Sequence, residues 1–262
     1  MINCKEIASS YKQKLKDHID DNNLHVGLAV IQVGDNPASN SYIKGKKSDC
    51  EEVGIKFAHF HYDESVSTKE IVELIKSLNT NDEINGIIVQ LPLPEHLNQK
   101  EILNSIADEK DVDGFKESSK FIPCTPKGVM MILDNLGRSV DGKICCVIGR
   151  GEVGKPMVDL LTKHNATVIW CNSHTDKTDL YALISVADII ISATGKIGLI
   201  KHVIGDKIVI DVGISRGEDG KLYGDVDKSC YDDSALITPV PGGVGLMTRV
   251  ALLENTIFAK SY

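Results

Sequence analysis

The sequence predicts an α/β protein of two domains with a cleft between them, of which the second contains a parallel sheet. The 262 residues are many for one domain and sufficient for two, and the hydrophobic content of 42% is enough for ordinary packed cores. Strand-like and helix-like segments alternate along almost the whole chain, and a segment rich in Asp, Gly, Ser and Pro at 110–126 separates two such series. We expect a first domain at 1–120 plus 247–262 and a second at 121–246, with ligands bound between them.

The first series contains three predicted strands, at 25–33, 55–61 and 84–90, separated by predicted helices at 38–53 and 67–79. Successive right-handed βαβ units are the simplest topology for this order. The prolines at 92 and 94 end the third strand.

The second series begins with a predicted bridging helix at 126–135 and continues with buried strands at 143–149, 167–172, 187–194 and 207–214. Helices are expected after Glu152 and Thr178. A last amphipathic helix is predicted at about 245–260, and its pattern alone allows it to return to either domain.

Composition excludes several classes of function. The net charge of −8 argues against nucleic acid and anionic membranes as partners, because such binding depends on clustered Lys and Arg. The longest apolar stretches are strand-sized, well short of the roughly 20 residues of a membrane span, and the N-terminus has no apolar signal core, so we expect a cytoplasmic protein. The seven cysteines include no Cys-x-x-Cys pair, which favours reduced thiols over a metal site.

A glycine loop, Gly149-Arg150-Gly151-Glu152-Val153-Gly154, follows a predicted strand and precedes a predicted helix. In this context the G-x-G-x-x-G pattern is typical of a dinucleotide site, in which glycines let the backbone approach a pyrophosphate at a helix N-terminus. An ordinary glycine turn is the alternative. The loop predicts a Rossmann-like second domain.

The next strand ends in Asn172-Ser173 without the acidic residue that usually binds the ribose of NAD. Arg150 and Ser173 are suited to bind a 2′-phosphate, since guanidinium binds phosphate through two hydrogen bonds. The sequence therefore favours NADP over NAD. A solvated loop charge is the alternative for Arg150.

Tyr42 and Lys46 are four residues apart in a predicted helix and so share one face. A lysine beside a phenol in a partly desolvated site is suited to proton transfer at carbon–nitrogen bonds, although such pairs are often surface residues. Gln90 ends a buried strand, where open α/β sheets bind ligands. Asp113 precedes a glycine in the segment at 110–126, where the chain is expected to cross between the two domains. An ordinary turn residue before glycine is the alternative for Asp113.

These segments together resemble the bifunctional methylenetetrahydrofolate dehydrogenase/methenyltetrahydrofolate cyclohydrolase family, from about Val33 to Thr256. Several independent motifs occur in the family's order. They are V-G-D-x-P-A-S-x-x-Y-x-x-x-K at 33–46, V-Q-L-P-L-P at 89–94, K-D-V-D-G at 110–114, P-C-T-P at 123–126 and T-P-V-P-G-G-V-G at 238–245.

The resemblance implies an enzyme that oxidises 5,10-methylenetetrahydrofolate with NADP and hydrolyses the methenyl product to 10-formyltetrahydrofolate. It implies that Lys46 transfers protons, that Tyr42 and Gln90 position it, and that Asp113 anchors the pterin. It also implies a homodimer formed by the second domains, with the last helix returning to the first domain. The remaining residues that it assigns to folate are Leu91, Pro241, Gly242 and Gly243, and those that it assigns to NADP are Thr125, Gly149, Arg150, Gly151, Gly154, Ser173 and Ile214.

The chain departs from the family pattern near the expected cofactor site. The phosphate loop is one residue shorter, the segment 116–122 is shorter, Asn172 replaces the usual His, and Leu246 replaces the usual Pro. Two alternatives therefore remain: a monofunctional cyclohydrolase or folate-binding protein with impaired dehydrogenase activity, and a non-catalytic dinucleotide sensor. A hydroxy-acid dehydrogenase is weaker, because no catalytic His or Arg pattern is evident.

Overall fold

The computed structural model describes residues 1–232 and 235–259. The helices are α1 (Cys4–Asp21), α2 (Pro37–Val53), α3 (Thr68–Asn79), α4 (Gln99–Asn104), α5 (Cys124–Asn135), α6 (Gly154–Lys163), α7 (Lys177–Val186) and α8 (Val244–Phe258). The strands are β1 (Gly27–Val33), β2 (Lys56–Tyr62), β3 (Gly86–Val89), β4 (Ile144–Ile148), β5 (Thr167–Cys171), β6 (Ile189–Ser192), β7 (Ile208–Asp211), β8 (Ser215–Arg216), β9 (Leu222–Tyr223) and β10 (Leu236–Ile237). The predicted end of the last helix at 260 and of the first domain at 262 lie outside the described residues.

The chain divides into two compact units. The three-stranded unit contains Ser9–Cys124 and the chain from Arg249 onward, and the five-stranded unit contains Met1–Ala8 and Thr125–Thr248. Each unit has its own core of buried aliphatic side chains. The predicted α/β class is confirmed.

The three-stranded unit has a parallel sheet, as the alternation of strands and helices predicts, and its strands lie in the order β2-β1-β3. Every residue of the central strand β1 is buried, so its sequence is a continuous apolar run with one polar residue, Gln32. In this register Ile31 pairs with Val89, and the N–H of Gln90 donates to the Ile31 carbonyl over 2.8 Å. β1 and β3 thus end at the same edge of the sheet.

The five-stranded unit has an all-parallel sheet in the order β10-β7-β6-β4-β5, which confirms the predicted Rossmann-like class. Strand β7 ends at Asp211, three residues before its predicted end at 214. The N–H groups of Val212 and Gly213 turn to the Ser192 carbonyl, over 2.8 and 3.2 Å, and the chain then forms the antiparallel β8–β9 hairpin.

Among the described residues, no helix combines the length and the apolar character that crossing a membrane requires.

Helix α2 is fixed within the three-stranded unit by a buried carboxylate. Asp49 accepts a hydrogen bond from Lys12 of α1 at 3.2 Å and forms an ion pair with Arg249 of α8, whose Nε lies 2.6 Å from Oδ2, and the Asp49 side chain is only 9% exposed. Gly45 lies where an added Cβ would meet the Arg249 guanidinium at 2.2 Å, so glycine permits this close approach. Lys12 also pairs with Glu52, which is about half exposed.

We predict that Asp49→Asn lowers the free energy of unfolding by about 2–4 kcal/mol, because it leaves two partly buried cations without a compensating charge. The matched control is Glu52→Gln, which removes an exposed partner of the same Lys12 and is expected to cost less than about 1 kcal/mol. Chemical denaturation of both variants measures the difference. Equal losses in the two variants would show that Asp49 does not fix α2.

Candidate active site and cofactor groove

Helix α2 begins where the turn after β1 requires it. The Asn36 side chain caps the helix by accepting from the N–H groups of Ala38 and Ser39, at 2.9 and 3.2 Å, and Pro37 occupies the first helical position. The buried amide of Gln32 reinforces the turn by donating to the Gly34 carbonyl at 2.8 Å. The helix therefore starts at a defined height above the sheet edge.

Lys46 and Gln90 are brought together at that edge. The half-buried Lys46 Nζ donates to Gln90 Oε1 over 3.0 Å, while Gln90 Nε2 donates to the Leu91 carbonyl over 2.8 Å. The second bond fixes which end of the amide accepts from Lys46. Tyr42, one turn earlier in α2, is 44% exposed. Of the predicted trio of Lys46, Tyr42 and Gln90, the structure joins Lys46 to Gln90 by a hydrogen bond, and Tyr42 lies on the accessible part of the same helix.

The loop that carries Asp113 is held in place by a nearby residue, Asp111. The buried carboxylate of Asp111 accepts from the N–H of Lys116 at 3.0 Å, and burial raises the pKa of Asp111. Gly114 has φ +76° and lies against Pro123, where an added Cβ would approach the proline backbone to 2.8 Å. Within the described residues the half-buried Asp113 carboxylate makes no side-chain hydrogen bond, so the turn does not need it and it is available to a ligand.

A groove of about 520 Å³ lies at the carboxyl ends of β4, β5 and β6 in the five-stranded unit. Of the predicted cofactor residues, Gly149, Arg150, Gly151 and Ser173 line it, whereas Thr125, Gly154 and Ile214 do not. Pro241 and Gly242 line a separate pocket of about 370 Å³ beside residues 1–5.

The glycines of the loop have distinct structural roles. Gly149 has φ +118°, and an added Cβ would meet the Ala193 carbonyl at 2.4 Å. At Gly154 an added Cβ would meet the Gly149 carbonyl at 2.1 Å, so the start of α6 packs directly on the loop. Gly151 faces open space within 4 Å. The loop is thus closed on its inner side and open where a dinucleotide would approach.

The groove's charge fits a phosphorylated dinucleotide. Arg150, Lys177 and Lys196 line it, and the lining residues, all within the described part of the chain, include no carboxylate. Sequence reasoning missed Lys177 and Lys196. The rule that ligands bind beyond the carboxyl ends of parallel strands is the signal that points to both, because they follow β5 and β6.

Two buried aspartates, Asp225 and Asp211, support the loop after β6 that lines the groove. Asp225 accepts from the N–H groups of Thr194 and Lys196, at 2.7 and 2.9 Å, in the loop after β6. Asp211 accepts from the N–H of Asp225 at 3.0 Å, and burial raises the pKa of Asp211 to about 7. These bonds fix the backbone that lines the groove.

A metal site is not formed by the described residues, since no three His, Cys, Asp or Glu side chains gather as metal ligands would.

Two family models match the chain. The catalytic domain of the tetrahydrofolate dehydrogenase/cyclohydrolase family matches residues 2–113, and the NAD(P)-binding domain of the same family matches residues 123–262. Together they cover almost the entire sequence, and the second match includes the glycine loop and the groove.

Similar proteins agree with these matches. The bifunctional protein FolD of Acetivibrio thermocellus is 42% identical over 275 aligned positions, covering 99% of this chain and 96% of that protein. The crystal structure of the bifunctional FolD methylenetetrahydrofolate dehydrogenase/cyclohydrolase from Campylobacter jejuni superposes with a TM-score of 0.92 at 41% identity, covering 99% of this chain and 98% of the other.

The Trypanosoma brucei methylenetetrahydrofolate dehydrogenase-cyclohydrolase, solved with NADP and an inhibitor, superposes with a TM-score of 0.93 at 29% identity, covering 100% of this chain and 97% of the other. Motifs, geometry and likeness over nearly the full length agree, and the chain belongs to the tetrahydrofolate dehydrogenase/cyclohydrolase family.

Proposed function

We propose that this chain oxidises 5,10-methylenetetrahydrofolate to 5,10-methenyltetrahydrofolate with NADP and hydrolyses that product to 10-formyltetrahydrofolate, with Lys46 as the proton-transfer group. The observation that carries the proposal is the hydrogen bond from Lys46 Nζ to Gln90 Oε1 at the carboxyl edge of the sheet. Membership of the family supports both reactions, and the relatives from Acetivibrio thermocellus and Campylobacter jejuni, which match over nearly the whole chain, are named as bifunctional proteins.

Hydrolysis needs a group that moves protons. Water adds to the methenyl carbon and loses a proton, and the carbon–nitrogen bond to the pterin ring nitrogen then breaks as that nitrogen gains a proton. Lys46 Nζ is half-buried and oriented by Gln90, which suits it to take the first proton and to return one to the nitrogen. Tyr42 is suited to position Lys46 and the folate from the same helix face.

Folate binding is assigned first to Asp113, because its carboxylate makes no side-chain hydrogen bond within the described residues. Asp113 offers its carboxylate to the paired N–H donors of the pterin edge, and we assign Leu91 and Gln90 to the same substrate. The family resemblance adds Pro241, Gly242 and Gly243 to the folate site. We propose the corresponding division of labour, with 1–120 and 247–262 as the folate-binding catalytic domain and 121–246 as the NADP-binding domain.

Oxidation needs NADP, which supplies the hydride acceptor when bound. The chain's contribution is to bind and orient it. Gly149, Gly151 and Gly154 shape the loop for the pyrophosphate, and Arg150 and Ser173 bind the 2′-phosphate. The family resemblance adds Thr125 and Ile214 to this set. The alternatives of a cyclohydrolase without dehydrogenase activity and of a non-catalytic sensor are not favoured, because the family's catalytic domain and its NAD(P)-binding domain both match the chain.

A homodimer in the cytoplasm completes the proposal. The family resemblance supports the dimer. All seven cysteines are free and buried, as is usual for proteins of reducing compartments.

We predict that Lys46→Met lowers the cyclohydrolase rate by about 10²- to 10⁴-fold, because it removes the proton-transfer group and keeps the aliphatic stem. The dehydrogenase rate is expected to fall less, since hydride transfer depends mainly on alignment. Both rates are measured on one preparation, with the melting temperature as a control for folding.

The matched control is Lys47→Met, because Lys47 lies on the same helix, is 60% exposed and pairs only loosely with Glu51 at 3.8 Å. Its two rates should equal those of the unmodified protein. Unchanged cyclohydrolysis in a folded Lys46→Met variant would remove Lys46 from the mechanism.

We predict that Asp113→Ala weakens folate binding and spares NADP binding, because only the pterin edge offers paired donors to this carboxylate. The folate affinity of Asp113→Asn, which keeps one acceptor oxygen, should lie between those of the unmodified protein and Asp113→Ala. Calorimetric titration with a folate analogue and separately with NADP provides the measurement. Equal loss of both ligands would indicate a collapsed loop and not a lost contact.

We predict that Arg150→Ala raises the Michaelis constant for NADP by about 10- to 100-fold, the effect of losing a charged hydrogen bond to phosphate. The Michaelis constant for NAD should change little, because NAD lacks the 2′-phosphate. An unchanged constant for NADP would show that Arg150 does not bind that group.

A further inference from the structure

The single tryptophan of the sequence, Trp170, lies at the end of β5 and contacts the glycine loop in two ways. Its indole Nε1 donates to the Gly149 carbonyl over 2.7 Å, and the Arg150 guanidinium carbon lies 4.6 Å from the centre of its ring. One side chain thus holds both the backbone and the cation of the loop. The proposed reaction uses neither contact directly.

The position of Arg150 over the Trp170 ring suits its guanidinium to bind a phosphate. A guanidinium that stacks by its face keeps its N–H edge free for two parallel hydrogen bonds. Arg150 is exposed, and a free arginine loses much rotamer freedom when it binds. Stacking on Trp170 restricts it before the ligand arrives.

Trp170 also lies between the two proposed phosphate ligands in the chain's connectivity, because it contacts the loop that carries Arg150 and its own strand leads to Ser173. Gly149 lies so close to Ala193, after β6, that an added Cβ would meet the Ala193 carbonyl at 2.4 Å, and Trp170 of β5 donates to the Gly149 carbonyl. Ser173 follows Trp170 by three residues and lines the same groove.

We propose that Trp170 is a positioning residue for NADP selectivity, which holds Gly149 and Arg150 so that the guanidinium edge and Ser173 meet the 2′-phosphate. The inference rests on the proposed role of Arg150. A merely structural Trp170 would instead affect NADP and NAD alike, because both share the pyrophosphate and nicotinamide.

The test compares dissociation constants for NADP and NAD, measured by calorimetry, in the unmodified protein, Trp170→Phe and Trp170→Leu. Trp170→Leu removes the ring and the donor and should lower the preference for NADP by about 5- to 30-fold. Trp170→Phe keeps an aromatic face and should lower it by about 2- to 5-fold. The rate constant at saturating NADP should stay unchanged in both, whereas the Michaelis constant rises.

Arg150→Ala separates this inference from the proposed function. In that background Trp170→Leu should hardly change the remaining preference, since the two side chains act as one unit. If Arg150→Ala lowers the preference and Trp170→Leu does not, Trp170 has no positioning role and the assignment of Arg150 stands. If Arg150→Ala leaves the preference unchanged, the assignment of Arg150 itself is wrong.

Fluorescence of the unmodified protein gives a second readout, which needs no substitution of Trp170. Adenosine 2′-monophosphate should change the Trp170 emission as its phosphate engages the stacked guanidinium, and adenosine 5′-monophosphate should change it less. Arg150→Ala should abolish the response. Binding of the 2′-monophosphate, seen by calorimetry, without a change in emission would overturn the inference.

Discussion

The carboxylate of Asp49, matched by Lys12 and Arg249, holds helix α2 within the three-stranded unit, and the proposed folate chemistry depends on that position. Lys46 lies one turn before Asp49 on the same helix, so a rotation or slide of α2 would carry Nζ away from Gln90. The Asn36 cap and the Gln32 amide fix the other end of the helix. The amine that we propose for proton transfer is thereby supported by rigid neighbours on both sides.

The cofactor groove likewise lies at the carboxyl ends of parallel strands, those of the five-stranded unit. Its residues are held in place in a different way. Its loops are held mainly through backbone groups: Trp170 and Ala193 fix Gly149, and Asp225 fixes the segment after β6. Backbone amides and glycines can approach a pyrophosphate closely, while the cations Arg150, Lys177 and Lys196 supply the charge around them. The overall negative charge of the chain is therefore compatible with an anionic cofactor, because the cationic groups are local.

Individual strands and turns were predictable where the sequence pattern is strong. The apolar run of β4 followed by the glycine loop predicts both the strand and its turn, and Asn36-Pro37 predicts the start of α2. Strand β7 was predicted too long because Val212 and Ile214 continue the apolar pattern. A distant carboxylate determines the turn instead: a Cβ at Gly213 would meet Asp225 at 2.0 Å.

Side-chain pairs were less predictable than elements. Lys46 and Gln90 are 44 residues apart, and only the register between β1 and β3 brings them within 3.0 Å. The contact of Trp170 with Arg150 depends likewise on the pairing of β4 with β5. Helix α1 lies outside the predicted elements although Ile7, Leu15 and Ile19 are buried with helical spacing. The family motifs identified the Lys46 and Gln90 pair, whereas no motif marked Trp170.

The absorbance of methenyltetrahydrofolate tests the central claim most directly. The purified protein is mixed with methylenetetrahydrofolate and NADP, and the absorbance is followed over time with product analysis at the end. The account predicts a rise followed by a decay to 10-formyltetrahydrofolate, faster than the non-enzymatic decay, with a slower rise when NAD replaces NADP. A rise without accelerated decay, or accelerated decay of added methenyltetrahydrofolate without any rise from the methylene substrate, would contradict the assignment of both reactions to this chain.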